Sequence, residues 1–248
     1  MNYKKILKHT LIGILSLLLL AGAGLFLWSA TSTYPSREVA LASLKTTEKV
    51  TVSQDQWIVF TPGQEANIGL IFYPGGLVDP AAYAPVLYQI AENGTLVVIT
   101  PMPLNLAIFN TGAADGVIES HPEISTWILA GHSLGGAAAG IYASTSSDKI
   151  DGLAFWDSYP PDSADLSETN LDVISIFGTS EGYPNTDNFD EKRYLLPPGT
   201  EFSSLEGASH AQFGDYGPQK GDVVPVLSLG EQHDRVAEIM LGFIDRIK

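Results

Sequence analysis

The sequence contains no cysteine among its 248 residues. This absence excludes disulfide bonds, a thiolate nucleophile and any metal site built on thiolate ligands. Positive charge is also scarce, because 13 Lys and Arg stand against 28 Asp and Glu and give a formal net charge of −15. Proteins bind nucleic acid largely through Lys and Arg at the phosphates, so this balance argues against a nucleic-acid partner.

Patterns of metal ligands are missing as well. The sequence has no His-x-x-x-His pair and no carboxylate cluster at ligand spacing, so it predicts neither a metal site nor a cofactor. Apolar residues, in contrast, are plentiful: 45% of the chain is hydrophobic and only 17% is charged. That composition is typical of a folded domain with a sizeable core rather than of a disordered chain.

A long apolar run lies near the N-terminus. Residues 11–28 carry no charge, and as a helix they span about 27 Å, close to the hydrocarbon thickness of a bilayer. Lysines precede the run, so the positive-inside rule places the N-terminus in the cytoplasm and the rest of the chain outside. We predict a signal anchor over residues 1–30. The alternative is a signal peptide cleaved near residues 21–23 (AGA), which would release a secreted protein.

The remainder of the sequence predicts a spacer over residues 31–46 and one globular domain over residues 47–248. In this domain short β-rich runs alternate with helical ones, a pattern typical of the α/β class. We expect about eight strands, mostly parallel after an antiparallel start, in an open twisted sheet with helices on both faces. No clear helix is predicted between Trp156 and Val173, so the site should be open, with little or no lid.

Residues 131–135 (GHSLG) match the Gly-x-Ser-x-Gly pattern of a turn that presents a nucleophilic serine. This turn is strained, and side chains two residues before and after the serine would collide with neighbouring backbone. The context agrees with the pattern, since an apolar run precedes the turn and a helix rich in Gly and Ala follows it. We therefore predict that Ser133 is the nucleophile.

Acyl transfer also requires two backbone N–H groups aimed at the developing oxyanion. One is expected from Leu134, the residue after the nucleophile. The second is expected from the loop that follows the strand at residues 68–73, where two glycines allow the backbone to come close. Gly76 is the favoured donor, with Leu77 as its neighbour.

The positions of the five histidines in the sequence favour one of them as the general base. His9 precedes the apolar run, His132 belongs to the serine turn, His121 precedes a proline and His233 begins the last helix. His210 remains, in a loop of small residues after the last predicted strand. It also follows the serine in the chain, as the order Ser, acid, His requires.

The acid is expected in the loop after the strand at residues 173–177, where Glu181 is favoured. Its carboxylate would accept the Nδ1–H of His210 and stabilise the imidazolium. The alternative acid is Asp157, which directly follows the preceding strand. The loop of Glu181 holds two weaker candidates, Asp187 and Asp190.

The chain resembles a group of small bacterial α/β hydrolases, often anchored at the N-terminus and related to the dienelactone hydrolases. The resemblance runs from about Gln56 to the C-terminus. It rests on four segments, which are FYPGGLVDPAAYAP from Phe72, VVITPMPLNLAIF from Val97, GHSLGG from Gly131 and HAQFGDYGPQ from His210.

The resemblance implies the α/β-hydrolase fold, a Ser–acid–His site and hydrolysis of acyl bonds. By position it assigns the nucleophile to Ser133, the base to His210 and an oxyanion donor to Gly76. Two departures limit it. The acid of the group is usually Asp in a Gly-Thr-x-Asp-Gly setting, where this chain has Glu181, and dienelactone hydrolases proper use cysteine, so their substrate is not carried over.

Together these features predict a membrane-anchored serine hydrolase that cleaves small carboxylic esters outside the cytoplasmic membrane. The alternatives are acyl transfer or amide cleavage by the same residues, and a degenerate hydrolase fold that serves as a surface binding module. An intact Ser133 and His210 argue against the binding module. The sequence leaves the oligomeric state open.

Overall fold

The computed structural model describes residues 3–179, 190–222 and 224–247. Helix α1, Tyr3–Ser32, is a compact unit separate from the domain that begins at Tyr34. Its segment Leu7–Ser32 has a mean hydropathy of 2.4, and the most apolar 18-residue window of this segment is not buried. By length and composition this helix is able to cross a membrane, a test that a signal sequence also passes.

Eight strands in the described residues form a single sheet in the order β1-β2-β4-β3-β5-β6-β7-β8. The pairs β1–β2 and β2–β4 are antiparallel, and all other pairs are parallel. The strands are β1 Val50–Gln54, β2 Ile58–Pro62, β3 Ile68–Tyr73, β4 Leu96–Ile99, β5 Thr126–His132, β6 Gly152–Trp156, β7 Asp172–Gly178 and β8 Glu201–Leu205.

Helices cover both faces of this sheet, because its central strands are apolar on both sides. In β3, Leu70 and Phe72 face the core that contains α3 and α6, whereas Ile71 and Tyr73 face the core that contains α4 and α5. The helices of the domain in its described residues include α2 Glu38–Ala42, α3 Ala84–Glu92, α4 Ala113–Ser120, α5 Leu134–Ser146 and α6 Leu229–Ile247. The predicted fold class, a mostly parallel eight-stranded α/β sheet, is confirmed.

The segment predicted to be a spacer belongs to the domain from Tyr34 onward. The N–H of Tyr34 donates to the carbonyl of Leu77 at 2.8 Å, and its carbonyl accepts from the N–H of Asp79 at 3.0 Å. Ala40 is fully buried, and its N–H donates to Oδ2 of Asp215 at 2.9 Å. The domain therefore starts at Tyr34 and not at residue 47, because this backbone finds partners in the fold that a free spacer would find in water.

Candidate active site

Ser133 stands on the sharp turn between β5 and α5, with φ 52° and ψ −121°. A positive φ strains any residue with a side chain, at a cost of about 1–3 kcal/mol. Two hydrogen bonds hold the turn in this conformation. The N–H of Ser133 donates to the carbonyl of Trp156 at 3.1 Å, and its carbonyl accepts from Oγ of Ser158 at 2.6 Å.

The glycines that flank Ser133 are sterically required. A Cβ added to Gly131 would lie 2.5 Å from the carbonyl of Gly135. A Cβ added to Gly135 would lie 2.0 Å from the carbonyl oxygen of Tyr73, and that oxygen belongs to rigid strand backbone. The collision that the sequence pattern predicted at both positions is therefore present in the fold.

His210 lies in the loop after β8, and its side chain is buried against the carboxylate of Asp157. The distance from His210 Nδ1 to Asp157 Oδ2 is 2.6 Å. The second carboxylate oxygen, Oδ1, accepts the N–H of Gly178 at 3.0 Å. Both oxygens of Asp157 are thus satisfied, and the hydrogen bond at Nδ1 leaves Nε2 as the nitrogen that can take a proton.

The environment of Asp157 is set by burial. Asp157 directly follows β6, has φ 47° and donates its N–H to the carbonyl of Ile176 at 2.7 Å. Removal from water raises the pKa of its carboxyl, and the hydrogen bond and charge of His210 and the N–H of Gly178 partly offset that rise. The hydrogen bonds from His210 and Gly178 therefore stabilise a carboxylate that burial destabilises.

The partner of His210 Nδ1 is the alternative acid, Asp157. An imidazole Nδ1 carries one hydrogen, and here that hydrogen is directed at Asp157. The end of β7, after which the acid was expected, supports Asp157 through the N–H of Gly178. Glu181 and Asp187 lie outside the described residues, and Asp190 instead pairs with Arg193 at 2.7 Å.

Backbone hydrogen bonds leave one N–H available in the loop after β3. Pro74 has no N–H, Gly75 donates to Oη of Tyr83 at 3.0 Å, and Leu77 donates to the carbonyl of Asn105 at 2.7 Å. Within the described part of the chain, the N–H of Gly76 has no partner. This elimination favours Gly76 over its neighbour Leu77 as an oxyanion donor.

Gly76 also lies beside the other predicted donor. A Cβ added to Gly76 would contact the side chain of Leu134 at 3.0 Å. Leu134 is the first residue of α5, where a backbone N–H has no acceptor within the helix. Gly76 and Leu134, the two residues predicted to donate, are therefore neighbours in the fold.

Ser133 and His210 line the same cavity, which has a volume of about 260 Å³. Leu134, Ala137, Asp157, Ser158 and Tyr159 complete its lining. Residues 157–171 contain no helix that would cover it. The side chains of Trp156 and Phe213 are fully buried in the core and do not line the cavity.

Two buried polar side chains adjoin the site, and no sequence motif marked the first of them. Oη of Tyr83 lies 2.8 Å from Nδ1 of His132. His132, the second residue of the GHSLG turn, lies against the ring of His210 with the centroids 4.4 Å apart. Burial and, secondly, the charge of His210 lower the pKa of His132 far below its usual value, so its imidazole is neutral.

No group of three or more His, Cys, Asp or Glu among residues 3–179, 190–222 and 224–247 is placed to hold a metal ion.

Comparison with known proteins identifies a family. Residues 69–234 match the family described as "Alpha/beta hydrolase family". A search of curated proteins gave no match.

Solved structures of similar fold include several esterases and lipases. A hormone-sensitive lipase from a metagenome library is 13% identical with a TM-score of 0.60, and the match covers 85% of this chain and 90% of that one. A soluble variant of monoglyceride lipase from Saccharomyces cerevisiae, in complex with a substrate analog, is 11% identical with a TM-score of 0.57 and coverages of 83% and 97%. The esterase domain of a Rhodothermus marinus protein is 13% identical, with a TM-score of 0.57 and coverages of 77% and 93%. At these identities the likeness concerns the fold.

Proposed function

Since the chain belongs to the α/β hydrolase family, we propose that it is a serine hydrolase that cleaves carboxylic esters through an acyl-enzyme on Ser133. One observation carries this proposal. Ser133 and His210 line one cavity, while Asp157 accepts the Nδ1–H of His210 at 2.6 Å. Acyl transfer needs a nucleophilic serine, a base that can accept its proton, and a carboxylate that fixes the tautomer of the base.

In the proposed mechanism, Oγ of Ser133 attacks the ester carbonyl while Nε2 of His210 takes the hydroxyl proton. The carboxylate of Asp157 stabilises the imidazolium that forms. The N–H groups of Gly76 and Leu134 donate to the oxyanion of the tetrahedral intermediate. His210 then protonates the departing alcohol, and the same groups activate water to release the acid and restore Ser133.

The proposed substrate is a small acyl ester. The cavity of about 260 Å³ is open and is lined on one side by Leu134, Ala137 and Tyr159, which suit a short acyl chain. Esterases and lipases among the proteins of similar fold support an ester over an amide. The cavity lies at the carboxyl ends of the parallel strands, where ligands bind in open α/β sheets.

We further propose that α1 anchors the enzyme and that the domain acts outside the cytoplasmic membrane. Two features support this orientation: the apolar segment Leu7–Ser32, and the lysines at its N-terminal end, at positions 4, 5 and 8. Protease added to intact cells should degrade the domain, and the mature protein should keep its N-terminus by mass. A shortened species in the medium would support the alternative, cleavage near residues 21–23.

The experiment that tests the ester hydrolase is a series of p-nitrophenyl esters of rising chain length. We expect turnover that is highest for short chains and that Ser133→Ala abolishes. Ser144→Ala, a substitution on the same helix α5 but outside the cavity, is the matched control and should keep wild-type turnover. Retention of more than about a tenth of the activity by Ser133→Ala would refute the nucleophile, since its loss should cost several orders of magnitude.

The same preparation separates the two other functions. An amidase would cleave p-nitroanilides at rates comparable to the esters, and an acyltransferase would form a new ester when an alcohol is added in place of water as acceptor. A binding module would show no turnover and no labelling of serine by a fluorophosphonate.

A further inference from the structure

Tyr83 and His132 form a buried pair that no step of the proposed mechanism uses. Both side chains are fully buried. Tyr83 ends the short 3₁₀ helix Pro80–Tyr83 before α3, and His132 ends β5. Buried polar groups are hydrogen-bonded with few exceptions, so the direction of each bond follows from the arrangement that leaves the fewest groups unsatisfied.

The hydroxyl of Tyr83 links the loop after β3 to the serine turn. Oη accepts the N–H of Gly75 at 3.0 Å and lies 2.8 Å from Nδ1 of His132. If Nδ1 carried a hydrogen, Oη would accept twice and its own hydrogen would be left buried without an acceptor. Nε2 of His132 would then also be left as a buried acceptor without a partner. Donation from Tyr83 to Nδ1 leaves only the N–H at Nε2 unsatisfied, so we assign the proton of the neutral His132 to Nε2.

The backbone of Gly75 lies directly over this pair. A Cβ added to Gly75 would be 2.7 Å from Oη of Tyr83 and 2.8 Å from Nδ1 of His132. The next peptide N–H is that of Gly76, the proposed oxyanion donor. The N–H of Gly75 fixes the peptide plane immediately before the one that carries the N–H of Gly76. The carbonyl of Gly75, which shares the plane of the Gly76 N–H, accepts the N–H of Val78 at 3.3 Å, so this second plane is held as well.

His132 also connects this loop to the general base. Its ring lies 4.4 Å from the ring of His210, centroid to centroid, and stacks on Phe213 at 5.5 Å with an interplanar angle of 17°. The His132 ring is thus held by its stacking on Phe213 and by the hydrogen bond of Nδ1 to Tyr83. One side chain contacts the base and, through Tyr83, the oxyanion loop.

We propose that Tyr83 and His132 are positioning residues for the oxyanion hole: their hydrogen bond holds Gly75, so that the N–H of Gly76 is aimed before the substrate arrives. The inference rests on the proposed function for its kinetic consequence. Pre-aligned donors act in the transition state and not on the bound ester, so loss of the pair lowers kcat and leaves KM nearly unchanged.

The test compares four variants. Tyr83→Phe and His132→Leu each break the hydrogen bond between the two side chains. Since the bond is already absent in each single variant, the double variant should lose no more kcat than either one. His132→Asn is the conservative control, because Oδ1 of Asn stands where Nδ1 stood and accepts from Tyr83. Removal of one oxyanion donor costs about 10²–10³ in kcat, so misalignment should cost about 10–100-fold.

The readouts are chosen so that a purely structural role would not reproduce them. We expect Tyr83→Phe and His132→Leu to lower kcat by that factor with KM within about twofold. The Ki of an alkyl boronic acid, which forms a tetrahedral adduct with the serine, should rise by the same factor as kcat falls. His132→Asn should restore kcat to within about threefold of wild type. Loss of thermal stability with unchanged kcat, or a His132→Asn variant as slow as His132→Leu, would overturn the proposal.

Two measurements remain decisive even if no ester is turned over. In wild-type protein with ¹⁵N-labelled histidine, His132 should be neutral at pH 7 with its proton on Nε2 and a hydrogen-bonded Nδ1, and Tyr83→Phe should shift Nδ1 to the position of an unbonded nitrogen. Amide hydrogen exchange in residues 74–77 should accelerate in the same variant. A proton on Nδ1, or unchanged exchange, would refute the pair, whereas failure of wild type to label with a fluorophosphonate would refute the proposed function alone.

Discussion

Nδ1 of His210 lies 2.6 Å from Oδ2 of Asp157, and the side chains are 3% and 0% exposed, respectively. Water is therefore excluded from the contact, and the imidazole has one available orientation. A buried carboxylate beside an imidazole stabilises the imidazolium far more than an exposed one would, because the local dielectric is low. This contact defines the proposed base as a unit of two residues from two adjacent loops.

Asp157→Asn should lower kcat by about 10⁴-fold, because a neutral amide no longer stabilises the imidazolium and favours the wrong tautomer. Glu181→Gln is the matched control and should stay near wild type. Steady-state kinetics on one p-nitrophenyl ester check both. A larger loss in Glu181→Gln than in Asp157→Asn would return the acid to the loop after β7.

The same Asp157→Asn variant should unfold at an equal or higher temperature than wild type. Burial raises the pKa of Asp157, so the ionised carboxylate opposes folding at neutral pH, and an amide of the same shape avoids that cost. Thermal unfolding followed by circular dichroism at pH 7 measures the effect. A fall in Tm of more than a few degrees would show that the ion pair is a net source of stability.

Gly135→Ala should prevent folding, because the added Cβ would stand 2.0 Å from the carbonyl oxygen of Tyr73. The control is Gly230→Ala, since Gly230 is likewise the second residue of a helix, α6, and its Cβ would meet nothing within 4 Å. Soluble yield and Tm distinguish the two. A Gly135→Ala protein as stable as Gly230→Ala would contradict the geometry of the serine turn.

A chain that starts at residue 33 should fold, and one that starts at residue 47 should be less stable. The longer deletion removes the backbone pairing of Tyr34 with Leu77 and Asp79 and leaves the buried carboxylate of Asp215 without the N–H of Ala40. Each lost bond is worth about 1 kcal/mol, so the free energy of unfolding should fall by about 3 kcal/mol. Urea denaturation of the two proteins measures this difference. Equal stabilities would show that residues 33–46 are a spacer, as the sequence predicted.

Acid should destabilise the fold through His233. Burial lowers the pKa of this side chain to about 4, below its unfolded value of about 6.5. A depressed pKa gives stability that is complete above pH of about 6.5 and is lost as the pH falls toward about 4, by about 3 kcal/mol in all. In denaturation experiments, His233→Gln should lose less free energy of unfolding than wild type between pH 7.5 and pH 4.5. Equal losses in the two proteins would refute this prediction.

Much of the fold could be predicted because its signals are local. Apolar runs without polar alternation mark the central parallel strands, and the strands predicted at residues 68–73 and 173–177 correspond to Ile68–Tyr73 and Asp172–Gly178. The start of the domain could not be predicted this way. Composition suggested a spacer, whereas tertiary hydrogen bonds to Leu77 and Asp215 draw Tyr34 and Ala40 into the fold.

At the site, the contact between Leu134 and Gly76 follows from two local signals, the serine turn and the glycine pair after β3, and the catalytic roles of Ser133, Leu134 and Gly76 stay predictions. The partner of His210 could not be predicted in the same way, because β6 and β7 end side by side and the sequence does not show which of the two loops reaches His210. Asp157 reaches it through a positive φ and the support of Gly178. The contact of Tyr83 with His132 could not be predicted from the sequence, because the two residues are 49 positions apart and no local pattern links them.

The most direct test of the account is the site of covalent labelling by a fluorophosphonate. Only a serine activated by a neighbouring base reacts quickly with this reagent. We predict one adduct per chain, located on the peptide that contains Ser133 by mass spectrometry, and absent from Ser133→Ala and His210→Ala. An adduct on another residue, or no adduct on the folded wild-type protein, would contradict the assignment of this chain as a serine hydrolase.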